Sequence, residues 1–318
     1  MTNRRNFLKS ASFLTLGGLL AGKTSQATAS TLMKAPQQAT GKQIGLQIYS
    51  LGRELYDDVP GGLKKVGQMG YSTIELAGYR DGKIGAVEMG EFRKMAEDAG
   101  LKIVSTHVNP PVREYTTANK GEIAEFWKKA ADDHAKIGVT YLIQPGQPST
   151  RSVEEVAIVC DVFNEAGRIA KAAGLSFGYH NHEMEFARVV PGGTEMVFGR
   201  RGFGRETPKD VEVIYDAFIK RTDPSLVFFE MDVYWTIMGQ NDPVAYMKKY
   251  ADRIKVLHIK DKEVLGESGI MNFENIFKQA YANGITNYFV ELERVSSGTQ
   301  FEGVKGCADY LLKAPFVK

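Results

Sequence analysis

The sequence has little of what marks a disulfide-rich, nucleic-acid-binding or dinucleotide-binding protein. Its 318 residues include only two cysteines, Cys160 and Cys307, far apart and in no metal-ligand spacing. We therefore expect two separate buried thiols, with a single long-range bridge as the alternative. The formal net charge is only +2, so there is no electrostatic footprint for nucleic acid. No Gly-x-Gly-x-x-Gly follows the first strand-like segment, which argues against a dinucleotide-binding fold.

The N-terminal residues have the pattern of an export signal. Arg4 and Arg5 precede an uncharged run over residues 10–22, and Ala27-Thr28-Ala29 supplies small residues for cleavage. The alternative is an uncleaved amphipathic tail, and the run is too short for a comfortable membrane-spanning helix. Removing residues 1–29 takes four of the 40 basic residues, leaving 36 against 38 acidic ones, a net charge of −2. We predict a periplasmic protein with no integral membrane segment in the mature chain.

The rest of the chain alternates between strand-like and helix-like segments. Residues 30–42 are small and polar and predict a linker, followed by one domain over residues 43–318. The predicted strands are 44–48, 72–77, 102–107, 140–144, 176–181, 226–232, 254–259 and 287–292. The predicted helices are 58–69, 87–99, 120–137, 152–173, 208–221, 243–250, 273–283 and 303–313. Eight strand-plus-helix units in under 300 residues predict an α/β fold, a single-domain (β/α)8 TIM barrel. Residues 183–207 predict a long loop over its mouth.

Polar side chains stand at the ends of most of these apolar strands. They are Glu75, His107, Gln144, His180, Asp232, His258 and Glu291. The carboxyl ends of barrel strands meet at one face, where active sites lie. Four of these residues, on the last four strands, offer two imidazoles and two carboxylates, which suit one divalent cation. Taken singly, each could instead be a cap or a hydrogen-bonded core residue.

These strand ends resemble those of the xylose isomerase-like barrels, a superfamily of sugar isomerases and epimerases that includes hexulose 3-epimerases, inosose dehydratase and endonuclease IV. The matching motifs are Gly70–Leu76, Tyr179–His182, Met231-Asp232, Leu257–Asp261 and Val290–Glu293. The resemblance covers roughly residues 43–314. It implies a TIM barrel and a bound Mn, Zn, Co, Fe or Mg ion.

The resemblance also implies which residues hold the metal. Asp232, His258 and Glu291 fall on three of the usual four ligand positions, whereas His180 stands where many relatives have Glu. In relatives with two Glu ligands, both carboxylates shuttle protons, and an imidazole bound to a metal has no free lone pair for that role. His182 shares a face with His180 if the strand continues that far, so it is an alternative ligand or a partner of the ligand shell.

The candidate catalytic residues are Glu291, His107, Lys260 and His182. His107 could act as acid or base, or could be a neutral imidazole satisfied by Glu75. Lys260 shares the face of His258, and beside a cation its pKa would fall and it could polarise an enolate oxygen. The alternative is a solvated loop residue.

The candidate substrate-binding residues flank the proposed metal on both sides. Glu75 and Gln144 end strands on the substrate side, and Trp235 could stack on a sugar. Glu293 shares the face of Glu291 but could be salt-bridged to Arg294 or a neighbour. Glu185 could reach the substrate or close the loop after the fifth strand.

The sequence leaves several functions open, all with a small carbohydrate as partner. The first is an isomerase or epimerase that removes a proton next to a carbonyl, acting on an unphosphorylated sugar or keto-sugar because export fits poorly with phosphorylated ones. The second is a lyase or hydratase on a 3-keto-sugar or 3-keto-glycoside, and the third is a non-catalytic sugar-binding protein. A DNA-repair enzyme is disfavoured, because Trp235 replaces the His that such relatives carry three residues after Asp232. A homo-oligomer is compatible with all of these functions.

Overall fold

Eight parallel strands close into a barrel in the computed structural model, which describes residues 41–197 and 210–318. The strands are β1 (Ile44–Gln47), β2 (Tyr71–Leu76), β3 (Lys102–His107), β4 (Tyr141–Pro145), β5 (Ser176–His180), β6 (Val227–Asp232), β7 (Ile254–Ile259) and β8 (Asn287–Val290). Each strand pairs in parallel with its sequence neighbours, and β8 pairs with β1. The predicted single-domain TIM barrel is confirmed, with strand bounds within two residues of those predicted. The predicted signal, residues 1–29, and most of the predicted linker lie outside the described residues.

Helices follow the strands and cover the outside of the barrel. They are α1 (Glu54–Asp57), α2 (Val59–Gln68), α3 (Met89–Asp98), α4 (Lys120–Lys136), α5 (Val153–Ala172), α6 (Ile214–Arg221), α7 (Val233–Met238), α8 (Pro243–Lys249), α9 (Phe273–Ala282) and α10 (Gln300–Lys313). Two 3₁₀ helices, Ile48–Leu51 and Glu183–Phe186, lie in the loops after β1 and β5. Helices α2 and α3 end just before Gly70 and Gly100, both at positive φ, where glycine avoids the steric cost of a side chain.

Two small antiparallel sheets interrupt the regular alternation, and the sequence predicted neither. One is made by Tyr79–Arg80, Lys83–Ile84 and Val87–Glu88 after β2. The other pairs Arg188–Val189 with Glu212–Val213, across the loop that follows β5. Part of that predicted loop, residues 198–207, lies outside the described residues.

Both cysteines are buried and free, so the prediction of two separate thiols is confirmed. Within residues 41–197 and 210–318, none of the helices has the length and apolar character needed to cross a membrane.

The barrel interior changes from apolar to polar along its axis. Its apolar layer consists of Val104, Ile143, Phe228, Val256 and Phe289, all buried. Side chains nearer the carboxyl ends of the strands are histidines and carboxylates. The fold therefore provides a packed base beneath a polar chamber at the face where barrel enzymes carry their sites.

Gly45 is required by the close approach of β1 and β8. A Cβ there would lie 2.5 Å from the backbone oxygen of Tyr288 and 2.8 Å from Oγ1 of Thr73. We expect Gly45→Ala to lower the free energy of unfolding by about 3 kcal/mol, since strands paired in a closed barrel cannot move apart cheaply. Urea denaturation measures the change. As a control, Gly121→Ala in α4 meets no atom within 4 Å and should change the stability by less than about 1 kcal/mol. Equal stability of the two variants would contradict the prediction.

Candidate functional site

Four side chains from the last four strands converge in the polar chamber. They are His180 at the end of β5, Asp232 at the end of β6, His258 near the end of β7, and Glu291 directly after β8. One possible ligand atom from each lies within 4.8 Å of the others, and all four residues are buried. Strand ends fix such geometry firmly, because the surrounding sheet holds their backbone. The structure thus brings together the four residues that the sequence proposed as a metal set.

The polar atoms of this group fit a cation. In the part of the chain that the structure describes, neither ring nitrogen of His180 has a hydrogen-bond partner, and Oδ2 of Asp232 also has none. Burial, helped by the charges of neighbouring histidines, holds the pKa of His180 well below its usual value, so its imidazole is neutral. Burial also raises the pKa of Asp232 to about 7. Buried polar atoms without partners are costly, and a divalent cation would bind one ring nitrogen of His180 together with Oδ2 of Asp232.

Asp232 has a second structural role that explains how it is aimed. Its Oδ1 accepts a hydrogen bond from the backbone N–H of Trp235 at 2.8 Å and so caps α7. This is the cap that the sequence offered as the alternative to a ligand. The two oxygens divide the roles, because Oδ1 holds the helix while Oδ2 faces His180 at 3.6 Å.

Glu75 orients His258 from beneath. Its Oε2 lies 2.6 Å from Nε2 of His258, and Ser105 and Gln47 donate hydrogen bonds to the same carboxylate. The other ring nitrogen of His258, Nδ1, lies 3.3 Å from Oε2 of Glu291. A carboxylate behind a ligand histidine is the usual way in which proteins fix its orientation. The sequence placed Glu75 among the substrate-binding residues; in the structure it is fully buried, and its contacts support His258.

Burial opposes charge on His258, but the nearby carboxylates of Glu230, Glu75 and Glu291 outweigh it and raise its pKa well above the usual value. Burial likewise opposes charge on Glu291, while Lys260 and His258 hold its pKa well below the usual range. Glu291 is therefore a carboxylate at neutral pH. A carboxylate with so low a pKa is a weak base and suits cation binding better than proton abstraction.

His107 stands beside the four-residue group and is held by two carboxylates. Its Nε2 lies 2.8 Å from Oε2 of Glu230 and 3.2 Å from Oε2 of Glu75. Burial opposes its charge, but these two carboxylates raise its pKa. The imidazole thus contacts Glu230 as well as Glu75, whereas the sequence had considered Glu75 as its partner. Its ring centroid is 4.9 Å from that of His180.

Glu230 is the site residue that the sequence analysis missed. It lies on β6 two residues before Asp232, and it is fully buried. The signal was available, since residues two apart in a strand share a face. It was overlooked because Glu230 lies inside the strand and not at its end. Burial and then the charge of Glu75 raise the pKa of Glu230.

Lys260, Glu293 and Trp235 form the wall next to Glu291. Nζ of Lys260 donates to Glu291 at 3.0 Å and to Glu293 at 2.6 Å, and it lies 5.0 Å from the ring centroid of Trp235. The ion pair of Glu293 is thus with Lys260, and of the partners that the sequence left open, Arg294 or a neighbour, it is not Arg294. Against the effect of burial, the carboxylates of Glu291, Asp232 and Glu293 raise the pKa of Lys260; the lowering expected from the sequence refers to a Lys260 beside a bound cation.

His182 lies on the open side of the group. Its ring centroid is 5.0 Å from that of His180 and 5.8 Å from that of Trp235, and it is partly exposed. Burial, with a smaller effect from Lys260, lowers its pKa, so the imidazole is neutral. The cluster of mutually close ligand atoms includes His180 and not His182.

Two other predicted substrate residues are directed elsewhere. Glu185 accepts hydrogen bonds from the hydroxyl of Tyr179 and the backbone of His182, and Tyr179 packs among aromatic rings outside the barrel. These contacts fit the second role considered for Glu185, which is to close the loop after β5. Gln144 bonds to Tyr115 and Gly146, one position out of phase with the inward-facing Ile143. The structure therefore brings neither residue into the four-residue group.

The comparisons with known proteins agree with this fold. Residues 63–311 match the family described as xylose isomerase-like TIM barrel. A crystal structure named sugar phosphate isomerase/epimerase, from Parabacteroides distasonis, is 56% identical, covers 87% of this chain and 100% of its own, and has a TM-score of 0.80.

More distant relatives include an inosose dehydratase from Clostridium beijerinckii, 30% identical over 108 residues. That match spans 34% of this chain and 29% of the dehydratase. D-psicose 3-epimerase from Clostridium cellulolyticum, at 14% identity and a TM-score of 0.61 over 83% of this chain and 89% of its own, shares the fold. The chain belongs to the xylose isomerase-like TIM barrel family and is a sugar isomerase/epimerase-like barrel.

Proposed function

We propose that this protein is a divalent-metal-dependent lyase acting on an unphosphorylated 3-keto-sugar or 3-keto-glycoside. It would remove the proton next to the ketone and expel the group on the following carbon. The observation that carries this proposal is the pair of histidines beside the metal group, His182 and His107, which stand in opposite electrostatic environments. The predicted export signal supports an unphosphorylated substrate, because phosphorylated sugars are chiefly cytoplasmic.

The metal would be held by His180, Asp232, His258 and Glu291. When bound, a divalent cation supplies a Lewis acid for the carbonyl oxygen, which acidifies the adjacent C–H bond. Lys260 keeps its ammonium within reach of the same region and would stabilise negative charge on substrate oxygen. Trp235 would provide a flat apolar surface for the sugar ring.

His182 is the base in this proposal. It is neutral, partly exposed and adjacent to the group, whereas Glu291 is already engaged by Lys260 and His258. A neutral imidazole can accept the proton from the carbon next to the ketone. The electrons of that C–H bond then form the new carbon–carbon double bond.

His107 is the acid that completes the step. Two carboxylates favour its protonated form, so it can deliver a proton to the departing oxygen as the bond from carbon to the leaving group breaks. The products are an unsaturated keto-sugar and the protonated leaving group, which is an alcohol or water. Opposed pKa shifts on two neighbouring groups are the pattern expected for one acid and one base with fixed roles.

An isomerase or epimerase is the second candidate. The 56% identical relative carries that name, and proton removal next to a carbonyl is common to both reactions. An epimerase must exchange the roles of its two groups at every turnover, which groups of similar pKa do best. The contrast between His107 and His182 therefore favours the lyase.

Incubation in D2O separates these functions. The mature metal-loaded protein should convert methyl 3-keto-glucoside to an unsaturated sugar with release of methanol, observed by NMR and mass spectrometry. The same protein treated with a chelator is the control and should show no conversion. An isomeric sugar carrying one deuterium would establish the epimerase instead. Binding by calorimetry without exchange on any sugar would indicate a sugar-binding protein and refute both enzyme proposals.

A further inference from the structure

Within residues 41–197 and 210–318, the contacts that connect Glu230 to the site are with histidines. Its Oε2 lies 2.8 Å from Nε2 of His107 and 3.4 Å from Nε2 of His258. Its other oxygen, Oε1, has no hydrogen-bond partner in the described residues. Glu75 differs, because Ser105 and Gln47 also bind its carboxylate and anchor it to β3 and β1.

The two carboxylates leave one side of His107 free. Nε2 is taken up between Glu230 and Glu75, and Nδ1 has no side-chain hydrogen bond in residues 41–197 and 210–318. His107 retains 9% exposure, whereas Glu75, Glu230 and His258 have none. Of these four residues, only His107 can present an atom to the substrate space.

A hydrogen bond at one nitrogen of a histidine fixes both the ring orientation and the position of the proton. With Nε2 engaged by a carboxylate, Nδ1 is the ring nitrogen that stays available to the substrate. A second histidine, His258, stacks on this ring and limits its tilt. The two ring centroids are 5.0 Å apart, and the angle between the ring planes is 17°. His107 is thus held on one edge and on one face.

We propose that Glu230 is the positioning residue for His107 and fixes its imidazole so that Nδ1 faces the leaving group of the substrate. The inference rests on the proposed lyase reaction, in which His107 is the acid. It assigns Glu230 no contact with substrate. It also assigns Glu230 no contact with the metal, although one oxygen of Glu230 lies within 4.8 Å of possible ligand atoms from His107, His180 and His258.

The test removes the acceptor while keeping the volume, with Glu230→Met, and compares Glu230→Gln, which retains an acceptor oxygen. We expect kcat on methyl 3-keto-glucoside to fall ~100-fold in the Met variant and ~10-fold or less in the Gln variant, with KM within about threefold of wild type. Exchange of the proton next to the ketone in D2O should continue in both, since His182 performs it. A matched control, Asp216→Asn, removes a carboxylate outside the barrel that pairs with Lys249, and should leave kcat unchanged.

A double-mutant cycle with His107→Ala distinguishes the outcomes. If Glu230 acts through His107, Glu230→Met should cost no further activity in the His107→Ala background. A further loss there, or loss of bound metal in Glu230→Met, would overturn the positioning role and indicate a structural part or a metal ligand. Wild-type kcat in Glu230→Met would overturn it as well. An unchanged kcat in His107→Ala alone would instead refute the proposed acid, and so the proposed function.

Discussion

Replacing His180 by alanine should reduce bound divalent metal from about one ion per chain to a trace, and should lower turnover by ~10³-fold or more, the equivalent of several kcal/mol of transition-state stabilisation. Both ring nitrogens of His180 are buried without a partner in the described residues, so a bound cation is the contact that explains its place. Elemental analysis of the purified mature variant measures the metal. Its fold, followed by circular dichroism, should persist, because no hydrogen bond to another described residue is lost.

The matched variant is His182→Ala, two residues further along the chain. It should keep its metal and lose activity, since His182 is the proposed base and not a ligand. The reverse result, with metal kept in His180→Ala and lost in His182→Ala, would exchange the roles of the two residues. Metal retained in both variants would remove this end of β5 from the proposed shell.

Replacing His107 by alanine should lower kcat by 10²–10⁴-fold, roughly the contribution of a positioned general acid. The loss should depend on the leaving group. Methyl 3-keto-glucoside expels a strongly basic alkoxide that needs a proton, so it should show the full effect. The p-nitrophenyl compound expels a stable phenolate and should lose only about tenfold, because little protonation is required.

Exchange of the proton next to the ketone provides the internal control for this variant. In D2O, His107→Ala should still exchange that proton, since the metal and His182 are intact. Loss of exchange together with elimination would mean that His107 serves the first step as well. An equal loss of rate on both leaving groups would contradict its role as the acid.

Most of the barrel could be predicted from sequence because its signals are local. Five of the helices, α2, α3, α4, α5 and α9, end just before a glycine at positive φ, such as Gly138 or Gly284, and each strand is an apolar run bounded by polar residues. The short helix α7 was not predicted, since it is set by a single cap from Asp232 and is only six residues long. The small sheet at residues 79–88 was also missed, because its strands have only two residues each.

Some residues of the site could be predicted from the sequence and others could not, for physical reasons. Residues at strand ends were easy to find, whereas Glu230 lies within β6 and was recognised only from its distance to His107. Gln144 and Glu185 were chosen by position along the chain, although strand alternation and the hydroxyl of Tyr179 direct them away from the four-residue group. The raised pKa of Lys260 depends on its ion pairs with Glu291 and Glu293. The sequence does not specify these pairs, because they join segments that are far apart in the chain.

The most direct test of the central claim is an anomalous diffraction map of crystals loaded with Mn²⁺ and measured with X-rays at which manganese scatters anomalously. The account predicts one strong peak within ligand distance of His180, Asp232, His258 and Glu291. A peak centred instead between His107 and Glu230, or no peak in the chamber at full metal occupancy in solution, would contradict it.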